Sequence, residues 1–113
     1  MAYDEDLAGR LRIALKATRG ITEKKMFGGI SFLLYGNMVV GALGSELVSR
    51  FDPQKTEELL KRPGARPFDP LNKRPNKPMQ GWLLVGQKVL KKSEDLKPWI
   101  QLGLEYARSL PKK

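Results

Sequence analysis

Two dipeptides, Gly36-Asn37 and Gly44-Ser45, constrain this chain more than any other feature. Each separates runs of β-forming residues, and two-residue connections of this composition close antiparallel hairpins because they tolerate positive φ. The runs they join, Lys24 to Tyr35, Met38 to Leu43 and Glu46 to Phe51, therefore read as a three-stranded meander. Gly28-Gly29 lies inside the first run and offers no side chain to pack, which predicts a bulge, a bend or a break into two strands there.

Helical periodicity brackets the meander. Leu7, Leu11, Ala14, Leu15 and Thr18 follow the capping residue Asp4 at helical spacing, predicting a helix from Asp4 to Arg19 that stops at Gly20. Asp52-Pro53 is an N-cap and first-turn pair for a short helix carrying Thr56, Leu59 and Leu60. Five prolines between Arg62 and Pro78 make that stretch mostly loop, with room for a short strand around Arg66 to Asp69. Gly81 to Val85 is apolar throughout and reads as a buried strand, with Trp82 expected against the last helix. Ser93 or Asp95 starts that helix, which runs to Ser109 with Leu96, Trp99, Ile100, Gly103 and Ala107 on one face. Gly103 and Ala107 lie four apart, so the helix can approach the sheet, or a second copy, closely.

These elements predict one α+β domain spanning residues 1–113, two-layered, in the order α-β-β-β-α-β-β-α. The antiparallel sheet carries its helices on one face, and the other face is left to solvent or a partner.

Composition narrows the chemistry. With no Cys and no His, the chain has no thiolate, no usual zinc ligand and no imidazole acid or base. The acidic residues are scattered apart from Asp4-Glu5-Asp6, which suits a helix start better than a cation site. Neither phosphate-binding glycine motif occurs, so no catalytic, cofactor-binding or metal-binding residue is assigned. Lys25 to Phe32 matches an RNA-binding aromatic motif only superficially, because Gly29 stands where a base-stacking ring is needed. The longest apolar run, Met38 to Leu43, is far short of a membrane span, and the acidic opening is unlike a secretory signal. A cytoplasmic protein without membrane attachment is expected.

The net charge of +9 is concentrated between Lys61 and Lys92, where nine basic residues face one acid. Lys61, Arg62, Arg66, Lys73, Arg74 and Lys77 are the candidate contacts for an anion or nucleic acid, since clustered cations recruit phosphates. The competing reading is a solvated loop kept soluble by charge.

A more specific signal comes from whole strings. Met1 to Asp4, Ile21 to Gly29, Gly36-Asn37-Met38, Arg62 to Pro67, Gly81-Trp82 and Ala107 to Pro111 together resemble the TfoX N-terminal domain family along essentially the whole chain. The resemblance implies a fold similar to type III secretion chaperones, no cofactor and no known enzymatic activity. It also implies kinship with regulators of DNA-uptake competence genes; longer members carry a helical second domain, and this sequence ends at Lys113. The expected function is a non-enzymatic regulatory or adaptor module engaging a protein partner or a second copy of itself. The alternative is direct, weak nucleic-acid binding through the 61–92 window.

Overall fold

A computed structural model describes residues 3–26, 28–68 and 80–112. Its elements, in chain order, are α1 (Glu5–Ala14), β1 (Ile21–Met26), β2 (Gly29–Leu34), β3 (Asn37–Leu43), β4 (Glu46–Arg50), α2 (Thr56–Leu60), β5 (Ala65–Pro67), β6 (Trp82–Val85) and α3 (Ser93–Ser109). The strands form one open antiparallel sheet ordered β1-β2-β3-β4-β6-β5, so the fold is α+β as expected.

The meander has four strands rather than three. Of the outcomes that Gly28-Gly29 left open, the break is the one realised: Gly28 takes φ 78° in a turn, and Met26 pairs with Gly29 across a tight hairpin. Gly29 itself must lack a side chain, because a Cβ there would lie 2.1 Å from the Ala42 carbonyl oxygen. The next turn sits one residue earlier than expected, with Tyr35 and Gly36 at φ 48° and 88°. Asn37 is instead the first residue of β3, and its amide donates to the Pro111 carbonyl oxygen at 2.9 Å. Gly44-Ser45 turns where predicted, between β3 and β4.

Asp4 caps α1 as expected, accepting from the Asp6 and Leu7 amides at 2.8 and 3.3 Å. The helix ends at Ala14, five residues before the expected stop. Leu15 is the last core-facing residue of the apolar stripe, so no packing holds a further turn in place. Gly20 serves the turn into β1 instead, at φ 86° beneath the Tyr35 ring.

One face of the sheet carries the main core. Ile30, Phe32, Leu34, Leu47, Phe51, Leu83 and Val85 meet Leu7, Leu11 and Leu15 of α1 and Leu96, Trp99, Ile100 and Leu104 of α3. The β2–β3 register shifts between Phe32 and Leu33, leaving Val39 as an extra residue that bulges toward α3. A Cβ at position 103 would lie 2.3 Å from the Val39 carbonyl oxygen, so the glycine permits the close approach inferred from its spacing.

The opposite, outer face is neither bare nor helix-covered. Phe68, following β5, buries itself there with Met38 and Val48, and half-buried Leu33, Leu43, Trp82 and Leu84 surround them. Trp82 therefore does not face the last helix. Pairing with Arg50 fixes the register of β6 and directs Leu83 and Val85 into the main core, which turns Trp82 and Leu84 outward. A run that is apolar at every position carries no alternation from which to choose between faces.

Candidate functional site

The six basic candidates do not form one described surface. Lys61 is exposed, the Arg62 guanidinium lies 5.4 Å from the Trp99 ring centroid, and Arg66 on the edge strand β5 is ion-paired with Glu46 of β4, across β6. Lys73, Arg74 and Lys77 lie outside the described residues. Lys88 and Lys91 instead line a separate cleft with Arg10 and Asp6.

A better-defined site lies on the outer face, at the end of the sheet where β3 and β6 begin and β4 stops. Arg50, the last residue of β4, holds its guanidinium 4.9 Å from the Trp82 ring and 4.6 Å from that of Tyr106 on α3. Its Nη1 donates to the carbonyl oxygens of Phe51 and Gly81 at 3.1 and 3.2 Å, and its Nη2 to the Tyr106 hydroxyl at 3.4 Å. Nε makes no hydrogen bond among the described residues.

The backbone beneath is anchored. The Thr56 hydroxyl, buried at the start of α2, donates to the Pro53 carbonyl at 2.6 Å and accepts from the Gly81 amide at 2.8 Å. Gly81, at φ 86°, returns its carbonyl to the Phe51 amide at 3.0 Å. Arg50 and Trp82 are thus fixed through main-chain contacts, which costs a ligand little reorganisation.

Beside this stack runs a cleft of about 410 Å³ lined by Lys24, Met26, Leu33, Gly36, Asn37, Met38, Arg50, Trp82 and Leu110. Among the described residues its floor is apolar, its two charged groups are both cations, and no carboxylate lines it. No nucleophile is paired with a base among its described lining residues. Among the described residues no group of three or more acidic, His or Cys side chains could hold a metal.

Titration shifts fall elsewhere and have structural causes. The Gln87 side-chain hydrogen bond, then the Leu7 amide, holds Asp4 below its ordinary value at the α1 cap. Arg12 lowers Glu23 chiefly by hydrogen bonding, and Glu23 raises Arg12 in turn. Among the described residues the buried Ser49 hydroxyl has no hydrogen-bond partner and no base placed to activate it.

Sequence reasoning passed over Lys24, Arg50 and Tyr106. Arg50 carried a weak signal, as an arginine ending a strand between a buried-type run and Phe51-Asp52-Pro53, but its two ring partners lie 32 and 56 positions away. Only the fold brings them together.

A family model described as the TfoX N-terminal domain matches residues 14–107. Comparison with curated proteins and with solved structures gave no match.

Proposed function

The chain belongs to the TfoX N-terminal domain family, and from that premise we propose that it is a non-enzymatic regulatory adaptor of the competence-regulator type, working by binding a protein partner on the outer face of its sheet. The observation that carries this reading is the cleft beside the Arg50 stack: apolar floor, immobilised guanidinium and no reactive pair. Rigid aromatic and arginine anchors on a packed scaffold are what protein interfaces use to concentrate binding energy. The helical layer also carries a groove, of about 480 Å³ between Ala14 of α1 and Pro98, Ile100 and Leu104 of α3, but its described lining holds no stacked arginine to anchor a partner.

The nucleic-acid alternative loses ground for a specific reason. Arg62 and Arg66 are engaged by Trp99 and Glu46, and a phosphate must compete with those contacts.

Site-specific photocrosslinking in the native cell tests the proposal. A crosslinking residue replacing Thr22, exposed on the outer face beside Leu33, should capture a discrete protein that survives nuclease treatment, and one replacing Gln101, exposed on α3, should not. Capture only from position 101, or capture that nuclease abolishes, overturns it.

A further inference from the structure

The outer-face cleft is specific about what it can accept. Its lining comes from five successive strands of the sheet: Lys24 and Met26 from β1, Leu33 from β2, Met38 from β3, Arg50 from β4 and Trp82 from β6. It therefore crosses the strands, and four strand spacings amount to roughly 19 Å. A cleft of about 410 Å³ that touches five strands has the length to take an extended chain.

Its chemistry is equally directional. Cations stand at Lys24 and Arg50, with Leu33 and Met38 between them. The described ion pairs use neither cation, since Arg12 takes Glu23 and Arg66 takes Glu46. Arg50 is planar, stacked on two rings, and its Nε–H has no partner among the described residues, which presents a carboxylate with a preorganised donor. Lys24 and Arg50 stand three strand spacings apart, roughly 14 Å, and two residues apart along the strands, which together make roughly 16 Å; four residues of extended chain span roughly 13 Å, and the long lysine stem covers the rest. Side chains two apart in such a chain face the same way.

Taking the adaptor reading as given, we infer that the partner presents an extended segment with two acidic residues four apart and a bulky apolar residue midway between them. The acids pair with Lys24 and Arg50, and the apolar side chain lies on Leu33 and Met38. Charge complementarity selects the segment, and the apolar contact distinguishes it from any other acidic chain.

The test uses a phage-displayed library of random heptapeptides selected on the immobilised native protein, with selected peptides then synthesised and titrated. Enriched sequences should carry the acid, apolar, acid pattern at alternate positions, and amide shifts should change at Lys24, Leu33, Met38 and Arg50. Lys24→Glu, at an exposed site, should weaken binding at least tenfold without altering the melting temperature. Arg50→Gln should weaken it likewise. Enrichment without acids, shifts confined to the groove between Ala14 and Leu104, or affinity indifferent to Lys24→Glu would each overturn the inference. So would saturation of the same residues by N-acetylglutamate at the peptide's concentration, which marks a small-acid site, or by a deoxythymidine oligonucleotide. Crosslinking from position 22 to a protein whose bound segment lacks the pattern would refute this inference and leave the adaptor proposal standing.

Discussion

At the scale of single residues, two glycines in helices make opposite predictions. Gly9, inside α1, has nothing within 4 Å of where a Cβ would lie. Gly9→Ala should therefore stabilise the protein by about 0.5–1 kcal/mol, since alanine restricts the unfolded chain and favours helix. Gly103→Ala enjoys the same helical advantage, but its Cβ would meet the Val39 carbonyl oxygen at 2.3 Å. Forcing α3 off the β3 bulge should outweigh the propensity gain and cost a net of about 1–3 kcal/mol. Urea unfolding of both variants checks the pair, and equal effects would show that the close approach is absent. Ser49 offers a third case, because its hydroxyl is fully buried with no hydrogen-bond partner among the described residues. Removing an orphaned polar group relieves its desolvation penalty, so Ser49→Ala should raise stability by about 1 kcal/mol in the same assay.

Among whole elements, those with strong local signals were legible and those fixed by pairing were not. α3 follows from a stripe of apolar residues at helical spacing, and its glycine was read correctly as a point of close approach. The break after Met26 was one of the outcomes that Gly28-Gly29 allowed. The side of the sheet that Trp82 occupies was not legible, because Gly81 to Val85 is uniformly apolar and β4 sets its register from more than thirty residues away. The cleft is harder still to foresee, since its lining residues share no local pattern and converge only when β1, β4, β6 and the end of α3 come to one end of the sheet. α1 shows how such long-range ties act: Arg12 reaches across to Glu23 of the edge strand at 2.7 Å. Both groups are exposed, so the pair should contribute no more than about 1 kcal/mol. Because Arg12 holds the folded-state pKa of Glu23 below its ordinary 4.5, this stability is fully present above that value and is lost as pH falls through the lower, folded one. The stability difference between wild type and Glu23→Gln should shrink correspondingly in urea titrations below pH 4.5, and in molar salt at neutral pH. A difference that persists in acid would assign Glu23 a role other than this ion pair.

For the molecule as a whole, the dominant quantity is a net charge of +9, and its consequence depends on where the cations go. A chain so basic attracts polyanions at low ionic strength whatever its function, so binding to DNA at low salt says little by itself. Contact with about six phosphates would release counterions steeply and lower affinity roughly 10³-fold between 50 and 200 mM salt. Arg62 stacked on Trp99 and Arg66 paired with Glu46 argue for a shallower dependence, because each would have to leave a partner first. Fluorescence anisotropy with random and competence-promoter duplexes at the two salt concentrations should thus show weak binding that is indifferent to sequence. Neutralising Lys61, Arg62, Arg66, Lys73, Arg74 and Lys77 together should reduce that binding on both duplexes alike, while peptide binding at the Lys24–Arg50 cleft persists. Tight, sequence-selective binding at 200 mM that the neutralised variant loses would instead make the basic window the working surface, and the outer face would lose its claim to the partner.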